Sequence, residues 1–377
     1  MTYNSSGVAR ETWSTLASDL KASVERANGF ALPMAERRYL AQSVFCGRLW
    51  YMAHAALPPS AFVRQARSSL VSFFWANKTA LVVRSVLSLP RERGGWSFPC
   101  VQLTSSILAL KTLLTILDDV ENPARPLAVY FLGTSLPVLE PSCPIPSGAR
   151  VETVPSFYKA AIALFRQLRA HVSREDIVET PASRLVEVLY SAQRPGPLPG
   201  IVPSFTGLPL TSCGLPSVVR DFQWKKGWGV LPTMDRLFRW GVVRDAKCPN
   251  CIAVETNDHV VSQCVVAQTF WRLVARAFPD RGVSLYTSQG RHPRGHFALL
   301  VVALSGWVLW CNRCSSQRRP RRAMWPLLWQ LRRELVIFLE DELHLLGERE
   351  FLRRWSCRYL TVRNHRVHLV STYLDLQ

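Results

Sequence analysis

The sequence predicts a mainly α-helical chain in more than one unit. Three observations carry this. Apolar residues recur at three- and four-residue spacing through most long segments. The prolines gather into two clusters and leave the stretches around them free to be helical. At 377 residues with 48% hydrophobic content, the chain is long enough and apolar enough to bury cores for two or three domains.

Trp13 opens the first helical stretch. Glu36–Leu57 places Phe45, Leu49, Met52 and Ala56 at helical spacing, and Pro58-Pro59 stops it. Ala61–Trp75 repeats the pattern with Phe62, Ala66, Leu70 and Phe73, leaving Arg64 and Arg67 on the far side. The two segments are expected to form an antiparallel pair. Gly94-Gly95 marks a turn, and Trp96–Val101 reads as a short extended piece that pairs locally. Val101–Leu117 is another apolar helix, ended by Asp118-Asp119. Pro137, Pro141, Pro144 and Pro146 form the first proline cluster; Pro195, Pro197, Pro199 and Pro203 form the second. Both read as linkers, with short helices at Phe157–Ala170 and Ser183–Tyr190 between them. The expected domains are therefore 1–135 (helical), 136–215 (proline-rich linker with short helices), 216–280, and 281–377 (helical and basic).

Phe297–Cys311 is apolar for 15 residues. A membrane span needs about 20. With Arg294 and Arg313 close to its ends, the run reads as a buried core helix, and no membrane partner is expected. A long helix, Met324–Leu346, follows.

Within 216–280, Cys248-Pro-Asn-Cys251 is followed by His259 and Cys264, a C-x2-C-x7-H-x4-C spacing. Three thiolates and an imidazole are a common tetrahedral set for structural zinc. The Pro249-Asn250 turn lets the first pair grip one side of the ion, and His259 and Cys264 close the other. Four protein ligands leave no open position, so the single Zn2+ is expected to be structural, in a small CCHC knuckle. The start, Met1-Thr-Tyr-Asn-Ser-Ser, is polar and shows no export signal. The ten cysteines are then expected to be reduced, which favours zinc over a disulfide framework. Cys311-x2-Cys314, with His292 and His296 upstream, is a weaker second candidate, because a rigid helix separates the two pairs.

The surroundings of the knuckle carry a resemblance. Phe222-Gln-Trp-Lys-Lys leads to Leu231-Pro-Thr-Met-Asp-Arg-Leu, then Cys-Pro-Asn-Cys, Glu255-Thr-Asn-Asp-His259, and Cys264-Val-Val-Ala-Gln-Thr-Phe-Trp271. This order resembles the zinc-binding region downstream of the polymerase in non-LTR (LINE-like) retrotransposon reverse transcriptases. Nearer the N-terminus, Leu40–Tyr51 ending in Trp-Tyr, Phe73-Phe-Trp75, Leu89-Pro-Arg-Glu-Arg-Gly-Gly95 and Ala109-Leu110 are similar to the segment after the polymerase palm, with arthropod, tick-type elements most alike. The resemblance implies a thumb-like N-terminal unit, zinc ligands at Cys248, Cys251, His259 and Cys264, and a role in target-primed reverse transcription. It implies a C-terminal piece of a polyprotein, partnered by the polymerase part, and an intracellular ribonucleoprotein in nucleus or cytoplasm. The family's aromatic-Ala-Asp-Asp motif, which would hold two magnesium ions, has no counterpart here. Asp118-Asp119 is the only Asp-Asp pair and ends a helix, so no catalytic site is expected.

A formal charge of +19 points to a polyanionic partner, element RNA or target DNA. Between Arg220 and Lys247, seven cations face three aspartates. Lys225, Lys226, Arg236 and Arg239 are the candidate phosphate contacts there. Trp224, Trp228 and Trp240 are interleaved, with Trp228 the candidate base-stacking ring and at least one of the three expected in the core. Arg318, Arg319, Arg321 and Arg322 form a second cluster, which suits phosphates, nuclear targeting or a solvated loop alike. Arg353, Arg354, Arg358, Arg363 and Arg366 follow. The alternative function is a decayed or domesticated transposon protein whose zinc unit mediates protein–protein contacts.

Overall fold

The structure is a computed structural model and describes residues 5–141, 143, 154–192, 215–279, 283, 295–316 and 324–370. The chain divides into two compact units, Met1–Gly196 and Pro197–Gln377. Both are helical, and the described residues hold one sheet, of two strands.

In the first unit, α1 (Ser5–Asn28) packs on α4 (Ser60–Phe74), with the Trp13 and Phe62 rings 4.9 Å apart. The segment read as one helix over Glu36–Leu57 is three pieces: α2 (Met34–Tyr39), a π-helical turn (Leu40–Phe45) and α3 (Gly47–Ala53). The Cys46 amide donates to the Ala41 carbonyl, five residues back, at 3.2 Å. That wider turn shifts the register, so Ala41, Cys46, Leu49 and Ala53 are buried, while Phe45, Met52 and Ala56 are only partly covered. The α4 pattern is as expected: Phe62, Ala66, Leu70 and Phe73 are buried, and Arg64 and Arg67 are exposed. Its main helical partner, however, is α1 and not the segment before it.

Arg37 clamps this corner. Its buried guanidinium donates to the carbonyls of Leu32 (3.0 Å), Phe30 (3.1 Å) and Phe73 (2.8 Å), and to Asn28 Oδ1 (3.1 Å). After α5 (Arg84–Ser88) the chain turns at Gly94, whose φ is +79°. A Cβ on Gly95 would lie 1.9 Å from the Leu89 carbonyl oxygen, so only glycine fits. The extended piece that follows does pair locally: the Trp96 and Phe98 amides both donate to Leu87, and Ser97 donates to Leu89. It is no strand, because Ser97 takes a φ of +44°.

Helix α6 (Val101–Asp118) is the axis of a second cluster. Around it lie α7 (Arg125–Leu132), α8 (Leu136–Leu139), α9 (Ser156–Leu168), α10 (Arg174–Glu179) and α11 (Ala182–Ala192). Ile107, Leu110 and Leu114 share one apolar core with Leu136, Phe165, Leu168 and Leu185. Of the span read as a linker, 136–215, residues 136–139 and 158–190 therefore contribute to a core. Pro137 fits α8 because it stands in the first turn, where its missing N–H leaves no bond unmade. The second proline cluster, Pro195 to Pro203, lies outside the described residues. Asp118 is paired with Arg174, which also holds Glu140 at 2.9 Å.

The second unit is built on α15 (His296–Ser316), flanked by α12 (Ser217–Gly227), α14 (Val265–Ala277), α16 (Met324–Leu346) and α17 (Glu348–Trp355). Residues 297–306 of α15 are buried on every side, as an all-apolar helix requires. Among the described residues, Val101–Asp118 and His296–Ser315 are long and apolar enough to cross a membrane; most of the second is core here. The C-terminal end forms a hairpin not expected from the sequence, β1 (Leu360–Arg363) against β2 (Arg366–Leu369). Asn364 and His365 both have positive φ, the conformation of a two-residue hairpin turn. Leu360, Val367 and Leu369 point into the core and leave Arg363 and Arg366 outside.

Candidate metal centre

A small hairpin and a π-helical turn bring the four ligands together. Lys247 and Val254 form an antiparallel bridge, and the Cys248 amide donates to Ala253 at 2.8 Å. This small hairpin carries Cys248 and Cys251. The Asn250 amide points at Cys248 Sγ, 3.4 Å away, as donors around a thiolate do. Next comes a π-helical turn, His259–Gln263, followed by the start of α14. Its wide pitch lets the Cys264 amide donate to the His259 carbonyl at 2.8 Å, which sets both ligands on the side facing the hairpin.

The ligand atoms of Cys248, Cys251, His259 and Cys264 all lie within 4.8 Å of one another. Cys248 Sγ and Cys264 Sγ are 3.8 Å apart, matching the edge of a tetrahedron with Zn–S bonds of about 2.3 Å. Cys251 Sγ and His259 Nε2 are 3.2 Å apart. The site fits one zinc: it has soft donors, tetrahedral spacing and no position left for a substrate. Among the described residues it is the one group of this kind. Cys311 and Cys314 both lie on α15, and His292 lies outside the described residues.

Electrostatics suit the metal. Burial pushes the Cys248 thiol up to about 12, opposed by the Asn250 amide. A cation that replaces the proton removes that penalty. Burial lowers the His259 pKa, while Glu255 raises it, and the net shift keeps the ring in the neutral form that binds metal.

Glu255 ties the knuckle to the core, a role that sequence reasoning missed. Its side chain is fully buried. Oε1 accepts from Arg313 Nε at 2.9 Å, from Arg313 Nη2 at 2.6 Å, and from the Met234 amide at 2.9 Å. The last of these caps the start of α13 (Met234–Arg239). One carboxylate thus joins the zinc hairpin, α13 and α15.

The nucleic-acid candidates separate. Lys225 and Lys226 are half-buried in the last turn of α12. Arg236 donates to the Gly229 carbonyl at 2.9 Å and lies 4.9 Å over the Trp240 ring. Arg239 is exposed and paired with Asp235. Trp228 is a correction: it is 5% exposed and sits beside Trp224, so its faces are spent on core packing and cannot stack a base. Trp240, 45% exposed, is the accessible ring of the three. Arg318, Arg319, Arg321 and Arg322 lie outside the described residues. Arg353, Arg358, Arg363 and Arg366 are placed on α17 and the hairpin region, with Arg354 held by Glu342 at 3.3 Å.

A family model for zinc binding in reverse transcriptase matches residues 211–271. A search of curated proteins gave no match. The matched span holds α12, α13, all four ligands and most of α14. Residues 211–271 are therefore a reverse-transcriptase-related zinc-binding region with a Cys3His site that can hold one zinc.

Proposed function

We propose that this chain is the nucleic-acid-binding C-terminal part of a non-LTR retrotransposon reverse transcriptase, of the tick or arthropod kind. It supports target-primed reverse transcription and has no catalytic site of its own. The observation that carries this reading is the Cys3His centre inside a reverse-transcriptase zinc-binding region, on a chain of charge +19. Next to the zinc region Arg236 stacks on the exposed ring of Trp240, and Arg239, Arg244 and Lys247 follow on exposed positions. Cations there take phosphates, and the ring takes an unstacked base. Partners on this reading are element RNA or target DNA and the polymerase part of the same polyprotein. Asp118 supports the non-catalytic part, since its carboxylate is bound to Arg174 at a helix end.

One observation favours a second reading. Ile252 is 92% exposed and Val254 51%, both on the hairpin that carries Cys248 and Cys251. A metal-braced apolar tip suits a protein pocket, as in a decayed or domesticated element whose zinc unit makes protein contacts. Binding of a single-stranded RNA and a DNA duplex to the purified chain, titrated from 50 to 300 mM salt, separates the two. Nucleic-acid binding must weaken steeply with salt. Absence of salt-dependent binding to both probes would hand the function to the protein-contact reading. Primer extension by the same preparation is expected to stay at background.

A further inference from the structure

Helix α16 has one face in the core, through Leu327, Leu328, Leu331, Leu335 and Leu339. Its exposed side mixes charged residues, Arg333, Glu340 and Asp341, with large apolar ones that a solvated helix surface ordinarily lacks. Trp325 is 40% exposed, Trp329 41% and Ile337 49%. Trp325 and Trp329 are four residues apart and so share a side of the helix, about 6 Å apart along its axis. Arg332 stacks on Trp329, its guanidinium carbon 5.2 Å from the ring centroid, and Arg333 projects next to it. Trp329, Arg332, Arg333, Val336 and Ile337 line an open trough of about 710 Å³.

We infer that this stripe of α16 is a second contact surface for single-stranded nucleic acid, separate from the zinc knuckle. The inference rests on the nucleic-acid reading above. Two exposed indoles spaced by one helical turn leave room for a base to lie against each, since stacked bases lie about 3.4 Å apart. Arg332, stacked on Trp329, and Arg333, which would exchange its exposed pair with Glu334, supply the cations for the phosphates of such a strand. Charge decides between this occupant and a protein. The chain carries +19. The trough's lining carries Arg332 and Arg333 and no carboxylate; Glu334 stands beside it and pairs with Arg333 at 3.0 Å, while Glu340, Asp341 and Glu342 come later along the helix. An apolar protein partner would need no arginines interleaved with the rings. Stacking tolerates any base, so the surface is expected to grip strands without regard to sequence.

The test uses the full chain with three fluorescent probes: a 20-nucleotide oligo-uridine RNA, an oligo-thymidine DNA of the same length, and a 20-base-pair duplex. Trp325→Ala with Trp329→Ala is expected to weaken both single strands at least tenfold and the duplex less. Trp325→Phe with Trp329→Phe, which keeps two ring faces, is expected to restore most of the affinity and controls for folding. Arg332→Ala with Arg333→Ala is expected to lower the salt slope by one to about two units. If wild type binds with salt dependence and the double alanine variant binds single strands equally well, the α16 surface is wrong and the nucleic-acid reading stands. The stripe would then be a protein-facing surface. If wild type binds none of the probes, both fail together.

Discussion

Arg313 Nη2 lies 2.6 Å from Glu255 Oε1, with the arginine side chain 8% exposed and the glutamate fully buried. The pair spans 58 residues and locks the zinc hairpin to the central helix of its unit. Removing one member of a buried pair strands a charge away from water, at about 3–5 kcal/mol. Arg313→Met is thus expected to destabilise the second unit by that amount in urea unfolding. Glu255→Gln should cost less, because its amide side chain still accepts from Met234. A loss below about 0.5 kcal/mol for Arg313→Met would show that the pair does not hold the unit together.

Gly95→Ala tests the first unit. The added Cβ meets backbone, the Leu89 carbonyl oxygen, and not a side chain that can swing away. The turn must open, which also pulls Trp96 and Phe98 off Leu87. The expected loss is about 2 kcal/mol or more. Circular dichroism against temperature reads it, and an unchanged midpoint would mean that the close approach is not maintained in solution.

The tryptophans offer a paired comparison. Trp228→Ala opens a cavity in the core and should lower stability by about 3–5 kcal/mol. Trp240→Ala removes an exposed ring with one cation over it and should change stability by less than about 1 kcal/mol. Binding reverses the order for Trp240. Its loss is expected to weaken single strands by about 1–3 kcal/mol and to spare the duplex. Equal effects of Trp240→Ala on both probes would remove the ring as a stacking platform.

Acid should release the metal. Zinc binding displaces protons from the thiols, and burial holds the Cys248 proton tightly, with a pKa raised to about 12 in the metal-free chain. Protons and zinc therefore compete, and affinity rises with pH. His259 works in the same direction: only the neutral ring binds, and below the ordinary histidine range an increasing share of unfolded chains is protonated. Zinc release to a colorimetric chelator is expected to begin as pH falls below about 6 and to reverse on return to neutrality. Retention of the metal at pH 4 would mean that the ligand set is not the one described.

The zinc ligands were legible because their chemistry demands a spacing that a single sequence displays. The α4 face was legible for a similar reason, as Phe62, Ala66, Leu70 and Phe73 obey one period. The neighbouring segment was not. A π turn at Leu40–Phe45 inserts one extra residue per turn and moves burial from Phe45 to Cys46, and nothing in residue type announces it. Trp224 and Trp228 are four apart and share the buried side, whereas Trp240 follows the end of α13; spacing alone held that distinction, unused. Glu255 entered only in the stretch leading to His259, and Arg313 only as the charge near the end of an apolar helix. Their pairing comes from packing across 58 residues, which no local pattern encodes. The helices between the proline clusters were seen, yet their place in the α6 core was not, because proline-rich flanks suggested a linker.

Cys248, Cys251, His259 and Cys264 together fit one structural zinc. Elemental analysis of the purified full chain, beside Cys251→Ser and His259→Ala, tests it most directly. One zinc per wild-type chain is expected and far less in either variant, with loss of protection of the 216–280 region against protease. Equal zinc in all three proteins, or none in wild type purified with zinc present, would contradict it.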